Sequence, residues 1–330
     1  MGFARALCLM GAVVIGGSAQ AQTTLKFGSP APAPAPLNQA LTQWAEKVGE
    51  ATDGAVSVNV VAGGTLGRHG QVFDRVTQGV VEIGWDFQGY YPNRFPKSSV
   101  AELPFMFDTA LEGSLALQSL YDDGHLGGEY DDVVVLGMFA FPNNSVILSQ
   151  PLPEDGMLTG LKLSAQNPTM YAAAEALGAI PVSMGIPDWY PAISRGTIDG
   201  AVVAFTAVPA FRFQEVVSHY YKTSLGGNTA FIFMSRAAYD GLSDEARGNL
   251  MSVSGAALAE HMGRFLNDQA QKGEGLASTT AEEIVDLSEE QSAAWQTALE
   301  PLRASWLEAG TGDQALIDAM NAAVDAAPSE

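Results

Sequence analysis

Hydrophobic and polar positions recur with two different periods along the first third of the chain, which predicts strands and helices that follow one another. Residues 25–28 form a short apolar run, and residues 40–48 place apolar side chains on one helical face. Residues 56–60 carry valine at every second position, as in a half-buried strand. Residues 71–78 and 80–85 add a second helix and a third strand. The pattern predicts a βαβαβ unit of the doubly wound type.

A second unit of the same kind is predicted further along. Its helices cover residues 169–177, with Thr169 as the N-cap, and residues 187–195. The last predicted strand is mainly apolar and is expected to return to the first unit. The predicted strands of this part cover residues 133–139, 145–148, 161–163, 201–203 and 228–234.

The C-terminal part of the chain is predicted to be helical. A long helical region opens at Ser243, which is followed by two acidic residues at the positive end of the helix dipole. Ser288 and Gln291 have the spacing of a capping box that opens another helix. A short amphipathic helix with an acidic end begins at Ala315.

The first 21 residues have the pattern of a cleaved signal peptide. Arg5 precedes an uncharged apolar run over residues 6–17, and small residues at 19 and 21 fit a cleavage site. The alternative is an N-terminal membrane anchor, but this run is shorter than the roughly 20 residues that cross a bilayer. We predict that the mature protein begins at Gln22 and lies in the periplasm. It then lacks cysteine, since Cys8 is lost with the leader.

Length and charge limit the classes of protein. The chain has 330 residues and a formal net charge of −21, which disfavours binding to nucleic acid or to anionic membrane surfaces. No later apolar run reaches membrane-spanning length, so the mature protein is not expected to be embedded in a membrane. What remains after the leader is too long for one ordinary core and suits two lobes.

Sequence motifs for catalysis, metals and cofactors were sought without success. The chain has no P-loop, no Cys-x-x-Cys pair, no His-Glu-x-x-His and no Gly-x-Ser-x-Gly. Its histidines, His69, His125, His219 and His261, are scattered and lack ligand partners at helical or turn spacing. We therefore predict no enzyme activity, no cofactor and no metal site, and place these histidines at the surface or behind the first layer of a site.

Residues 31–36 alternate alanine and proline between the first strand and the first helix. Proline excludes helix here and favours a stiff extended segment. One interpretation is a rigid connector. The other is a wall of a ligand cleft, because open α/β sheets bind ligands at the carboxyl ends of their parallel strands.

Several short segments occur in a characteristic order behind the predicted leader. They cover residues 64–67, 78–84, 102–107, 161–163, 177–182, 188–193 and 195–201. In this order the chain resembles the extracytoplasmic solute-binding subunit of TRAP transporters, the DctP-like family. The resemblance covers nearly the whole mature chain.

The resemblance implies an α/β, two-lobed periplasmic-binding-protein-like fold. Each lobe would be a mixed, mostly parallel sheet flanked by helices, with a long helix spanning both lobes. We assign residues 22–146 plus 228–270 to lobe one and residues 147–227 plus 271–330 to lobe two. The implied function is transmembrane transport of a small organic solute, which is captured as the lobes close. The implied partners are the small and large integral membrane subunits of a TRAP transporter.

The chain departs from the family where that family binds carboxylates. The resemblance places an arginine after the strand at residues 161–163, and this sequence has Ser164 there. A second family arginine corresponds to Asn144, whereas Asn167 matches a common polar contact. A hydroxyl and amides compensate the lost hydration of a buried carboxylate less well than an arginine does.

We therefore predict a neutral, zwitterionic or cationic solute, held by carboxylates beside aromatic faces. The alternatives are that Trp189 and Tyr190 are core residues, and that Arg68, Arg94 or Arg212 holds an ordinary organic acid. A ligand-sensing partner of a membrane receptor and a secreted enzyme are the rival functions. The predicted ligand-binding residues are Trp85, Asp86, Phe87, Asn144, Ser164, Gln166, Asn167, Asp188, Trp189, Tyr190 and Phe205.

Overall fold

A computed structural model describes residues 22–91 and 93–328 of the chain. The predicted signal peptide, residues 1–21, lies outside the described residues. The strands are β1 (Thr23–Gly28), β2 (Val56–Val61), β3 (Ile83–Phe87), β4 (Val133–Ala140), β5 (Ser145–Leu148), β6 (Lys162–Ser164), β7 (Ile180–Pro181), β8 (Gly200–Val203), β9 (His219–Lys222), β10 (Thr229–Ser235) and β11 (Glu283–Asp286).

The helices surround the strands and are mostly amphipathic. They are α1 (Leu37–Ala51), α2 (Val72–Thr77), α3 (Ala110–Asp122), α4 (Pro168–Ala176), α5 (Trp189–Ser194), α6 (Ala207–Phe211), α7 (Arg236–Asp240), α8 (Asp244–Ser252), α9 (Ala256–Ala277), α10 (Glu289–Glu308) and α11 (Gln314–Ala326).

Within the described residues the strands form two sheets. The first has five strands in the order β2-β1-β3-β10-β4, and the second has six in the order β11-β9-β5-β8-β6-β7. In the first sheet β1 is parallel to β2 and β3, while β10 runs antiparallel between β3 and β4. The predicted return of this apolar strand to the first unit is confirmed. We call the part of the molecule around each sheet the first and the second lobe.

Both lobes have their own buried core. In the first lobe Trp44 and Phe27 pack edge to face behind β1, and Phe231 stacks on Phe233 in β10. In the second lobe Trp189 stacks on Phe213, and both side chains are completely buried. Since each sheet buries aromatic side chains within its own layers, each lobe has the apolar core that a separate unit needs.

Helix α9 spans both lobes, as predicted. Its first half places Leu258, Met262 and Leu266 in the core of the first lobe, and its last residue, Ala277, lies in a core cluster of the second lobe. The helical region does open with Ser243 as N-cap, but α8 ends at Ser252, and α9 begins separately after Gly255. Gly255 has a φ of 58°, a conformation that favours glycine.

Three local expectations were wrong. Asn167, and not Thr169, caps α4, because the side chain of Asn167 accepts a hydrogen bond from Met170 N. The whole of β5 belongs to the second sheet, so the chain crosses between lobes at residues 141–144 and not within that strand. Helix α11 packs on α3 through Leu316, Ile317 and Met320, which joins it to the first lobe. The remaining lobe boundaries stay a proposal.

Candidate functional site

A cavity of about 350 Å³ lies between the two lobes, and its walls are mainly apolar. The first lobe contributes the chain after β1, the end of β3 and one side of α9, and the second lobe contributes the end of β8 and α6. The carboxyl ends of parallel strands therefore meet here, as in other open α/β sheets. The walls consist of Ala31, Pro32, Pro34, Ala35, Pro36, Leu37, His69, Trp85, Phe87, Phe141, Gln166, Ile186, Val203, Ala204, Thr206, Ala207, Pro209, Ala210, Phe211, Phe265, Leu266 and Gln269.

The alanine and proline segment forms one wall of this cavity, which supports the second of its two interpretations. Its residues lie between β1 and α1, and Asn38 fixes the segment from the helix side. The Asn38 amide donates to Pro32 O at 2.8 Å, and its carbonyl accepts from Ser29 Oγ at 2.7 Å. Ser29 Oγ in turn accepts from Trp85 Nε1 at 2.9 Å, so the proline wall and the indole opposite are held together.

The aromatic end of the cavity is built around His69. Its ring is stacked on Tyr90, with centroids 5.3 Å apart and planes at 23°. Trp85 and Phe87 each lie 5.2 Å from the imidazole, and Phe87 contacts Phe141 at 5.0 Å. Of these rings, those of His69, Trp85, Phe87 and Phe141 line the cavity, and flat rings of this kind can pack against an aromatic guest.

Asp86 fixes the orientation of His69 from behind. Its side chain is completely buried, and its Oδ1 lies 2.6 Å from His69 Nδ1. Oδ1 also accepts from Phe87 N at 3.0 Å, and Oδ2 accepts from Gly70 N at 2.9 Å and from Tyr91 Oη at 2.6 Å. Burial and the nearby Asp86 carboxylate raise the pKa of Tyr91, so its phenol stays a donor. The carboxylate is thus fully engaged by donors and faces away from the cavity.

A small polar recess adjoins the cavity at Phe87 and Gln166, which line both. In the recess Asn167 Nδ2 donates to Asn228 Oδ1 at 2.6 Å, and Asn228 Nδ2 donates to Gln166 Oε1. These bonds connect α4 of the second lobe with the start of β10 in the first. Glu102 lies behind them, where desolvation raises its pKa to about 7 against the hydrogen bonds from Thr229.

The structure brings some of the predicted ligand residues to the cavity. Trp85, Phe87 and Gln166 line it, and Asn167 lines the recess beside it. Asp86 reaches the cavity only through His69. Because Gln166 Oε1 already accepts a hydrogen bond, its Nε2 remains the polar group that a ligand would meet.

Other predicted residues lie away from the cavity. Asn144 and Ser164 are completely buried; Asn144 Nδ2 donates to Gly226 O at 2.7 Å, and Ser164 Oγ is 3.2 Å from Tyr171 Oη. Both polar groups therefore bond within the protein. Neither position points a side chain into the cavity wall where the family resemblance implied arginines.

The predicted residues of the second lobe are also outside the cavity wall. Asp188 is exposed, and Trp189 is completely buried with its indole donating to Met184 O at 3.0 Å. Tyr190 donates to Glu215 at 2.9 Å, and Phe205 stacks on Tyr220. The alternative that Trp189 is a core residue is thus the one that fits its burial.

No arginine is among the described residues that line the cavity. Arg94 pairs with Asp132 and lies over the ring of Phe73, 4.3 Å from its centroid. Arg212 pairs with Glu215 at 2.7 Å. Arg68 is exposed next to His69 in the chain.

Sequence analysis missed His69 and most of the second-lobe wall. His69 follows β2 by a short glycine-rich turn, and its position after a parallel strand was the available signal. Its partner Asp86 lies 17 positions along, at the end of a different strand, so no local spacing connects them. Phe211 and Thr206 belong to a short helix whose sequence has no distinguishing pattern.

Among residues 22–91 and 93–328, no helix is long and apolar enough to cross a membrane. The same residues contain no group of three or more histidine, cysteine, aspartate or glutamate side chains arranged to hold a metal ion.

Two lobes with a cavity between them, connected by helices that pack into both cores, have the architecture of a solute-binding protein. Over residues 27–309 the chain matches the family described as "Bacterial extracellular solute-binding protein, family 7". It belongs to this family, and it is a TRAP transporter extracytoplasmic solute-binding protein. The family and its solved members are binding proteins and not enzymes.

The similarity extends to proteins with known ligands. A TRAP solute-binding protein from an unidentified marine microbe, specific for aromatic acid ligands and solved with metahydroxyphenylacetate, is 30% identical; the match covers 93% of this chain and 100% of that one, with a TM-score of 0.86. A protein from Rhodoferax ferrireducens, solved with copurified benzoate, is 25% identical over 92% and 98% of the two chains, with a TM-score of 0.84. The outer membrane transporter protein TsaT of Comamonas testosteroni is 29% identical over 93% of each chain.

Proposed function

We propose that this protein captures a small aromatic solute outside the cytoplasm and delivers it to the membrane subunits of a TRAP transporter. The observation that carries the proposal is the cavity with aromatic side chains that lies between the two lobes and is lined by both. A guest that contacts both walls binds the closed form better than the open form and so shifts the population toward closure.

The size and chemistry of the cavity support an aromatic guest. About 350 Å³ is at the lower end of the range for small-molecule sites, which suits a single substituted ring. The walls offer Trp85, Phe87 and Phe141 from one lobe and Phe211 from the other. Ring contacts of this kind contribute roughly 0.5–1.5 kcal/mol each beyond the burial of apolar area. The aromatic acids bound by two of the similar proteins point to the same class.

The geometry does not support the cationic solute suggested by the sequence. That hypothesis depended on Asp86 and Asp188 as carboxylates beside aromatic faces. Asp86 is covered by His69 and used by four donors, and Asp188 is exposed outside the cavity. A neutral or anionic aromatic solute fits the remaining wall better.

Family membership supports a proposal for the partners and the compartment. We propose that residues 1–21 direct export and are cleaved, and that the mature protein works in the periplasm with the small and large integral membrane subunits. Mass spectrometry of the exported protein tests the cleavage, which is expected before Gln22.

Titration of the purified protein with benzoate, 3-hydroxybenzoate, glucuronate and phenylethylamine tests the ligand class. We expect saturable, stoichiometric binding of at least one of the two benzoates. Tryptophan fluorescence should report this binding, because Trp85 lines the cavity. Trp85→Phe serves to assign the signal, and Trp306→Phe is the matched control, since Trp306 bonds to Ser99 Oγ in the first-lobe core. Binding of glucuronate with no binding of any aromatic compound contradicts the proposal. Binding of phenylethylamine alone would keep the aromatic class and favour the cationic solute instead.

A further inference from the structure

The cavity has one titratable side chain among the described residues that line it, and that side chain is His69. Its Nδ1 is taken by Asp86 at 2.6 Å, which leaves Nε2 as the ring nitrogen without a described protein partner. The imidazole is 29% exposed although it is stacked between aromatic rings, so one edge faces the open space. An imidazole whose Nδ1 is held by a carboxylate presents its Nε2 in a fixed direction.

Asp86 is the carboxylate that faces this imidazole, and its surroundings contain few other charges. A carboxylate that is completely buried and accepts from three further donors needs a positive partner, since an unpaired buried charge is strongly unfavourable. The other ionisable groups next to this pair are the phenols of Tyr90 and Tyr91, whose pKa values are raised by burial and then by the Asp86 carboxylate. Arg68, the chain neighbour of His69, is exposed. His69 is the group beside Asp86 that can carry a balancing positive charge, and with both ring nitrogens protonated it presents an N–H donor to the cavity.

Resting on the proposed function, we infer that the solute is an aromatic acid whose anionic group binds the Nε2–H of His69. The imidazolium thus supplies the positive charge that an arginine supplies in the family resemblance, from a different position and from the first lobe. Asp86 is the positioning residue behind it. Gln166, whose Oε1 is bonded to Asn228, adds an amide donor from the second lobe.

This arrangement makes capture depend on pH. When the imidazolium loses its proton, Nε2 changes from a donor into an acceptor and meets the anionic group with a lone pair. Affinity for an aromatic acid should therefore be lower at high pH than at low pH. Affinity for an uncharged analogue of the same shape changes much less, because an amide can both donate and accept.

Calorimetry with benzoate and 3-hydroxybenzoate against benzamide and 3-hydroxybenzamide, at several pH values from 5.5 to 8.5, tests the inference. We expect His69→Gln to lower the affinity for the two acids by about 10- to 100-fold, which is the loss typical of a charge-assisted hydrogen bond. The affinity for the two amides should change by less than about threefold, since the aromatic contacts remain. The matched control is His125→Gln, an exposed histidine outside the cavity, which should change nothing. In the unsubstituted protein acid affinity should fall as pH rises, and His69→Gln should abolish that slope.

NMR of the unsubstituted protein with ¹³C-labelled histidine provides a readout that does not depend on a variant folding. The His69 Cε1–H signal should shift when benzoate is added and much less when benzamide is added. Asp86→Asn, which keeps one oxygen but removes the charge, should also weaken binding of the acids. The inference is overturned if the unsubstituted protein and His69→Gln bind the acids with equal affinity. It is also overturned if the His69 signal does not change when benzoate is added. Absence of binding by every aromatic compound rejects the proposed function itself.

Discussion

Glu102 is a carboxyl group that folding has removed from water. It is 3% exposed, and its pKa is raised to about 7 mainly by desolvation, although Thr229 donates to it through both its hydroxyl and its amide. The folded protein therefore holds this proton more tightly than the unfolded chain, whose carboxyl has a pKa of about 4.5. The group lies directly behind the polar recess between the lobes.

The sign of the resulting pH dependence is fixed by the raised pKa. The unfolded chain loses the proton first as pH rises from 4.5, so the free energy of unfolding falls until the folded state also ionises near pH 7. We expect the loss from this group between pH 5 and 8 to be about 2 kcal/mol.

Urea unfolding of Glu102→Gln at both pH values checks this expectation. The variant should lose about 2 kcal/mol less than the unsubstituted protein between these pH values. Glu300→Gln, at an exposed glutamate on α10, should behave like the unsubstituted protein. An identical pH dependence in all three proteins would show that Glu102 ionises as freely when folded as when unfolded.

Individual side chains were the hardest feature to predict. Trp85, Phe87 and Gln166 line the cavity, and each follows or ends a strand whose position the hydrophobic pattern predicts. Asn144 and Ser164 lie at comparable positions, but they bond within the protein. Whether such a side chain faces the cavity or bonds within the protein depends on the groups that other elements bring close to it. The hydrophobic periodicity of the sequence contains no information about those groups.

Elements, in contrast, follow from local sequence. The α1 face, the Ser288 capping box and the apolar β10 all occur where the pattern predicts them, because their causes lie within a few residues. The short α6 was not predicted as a helix. Its five residues are too few to show a helical period in the sequence. Its packing against α9 accounts for its formation.

Helix α9 contacts the second lobe at a glycine. A Cβ atom on Gly273 would lie 2.1 Å from the carbonyl oxygen of Phe205, a backbone atom that cannot rotate away. Gly275, two residues further along the same helix, has nothing within 4 Å of the equivalent position. These two glycines therefore separate the effect of contact from the effect of helix propensity.

We expect Gly273→Ala to destabilise the protein by roughly 1–3 kcal/mol, since α9 and the Phe205 backbone must move apart. Gly275→Ala should stabilise it by up to about 1 kcal/mol, because alanine is the better helix former. Denaturant unfolding of the two variants measures both effects. Equal stabilisation by the two substitutions would mean that α9 does not press on the second lobe at this point.

At the scale of the whole molecule, the charge is strongly unbalanced. With 37 acidic and 16 basic residues, the compact state concentrates like charges that the unfolded chain separates. The ion pairs that the structure shows are mostly at the surface, where each contributes at most about 1 kcal/mol. Self-repulsion is therefore only partly offset.

Salt should stabilise the folded protein. Because the screening length shortens to about 10 Å at 0.1 M, we expect the unfolding temperature to rise with NaCl from 0.01 M to about 0.5 M. Calorimetric melting curves at constant pH test this, with sucrose at matched osmolality as the uncharged control. A melting temperature that is independent of salt would show that repulsion between the acidic groups does not destabilise the folded protein.

The two-lobed architecture was predictable, because its cause is the repeated βαβ pattern. The cavity was not predictable from the sequence. Its walls come from residues as far apart as Ala31 and Gln269, which meet only after both lobes and α9 have assembled. The misplaced α11 has the same explanation. Its apolar face fits either lobe by sequence, and only the observed contact with α3 decides between them.

The unequal division of the cavity between the lobes has a kinetic consequence. Trp85, Phe87 and the His69–Asp86 pair all belong to the first lobe, whereas Phe211 and its neighbours on α6 cover the cavity from the second lobe. Substitutions on α6 should accordingly shorten the dwell time of a guest, with little change in its rate of arrival.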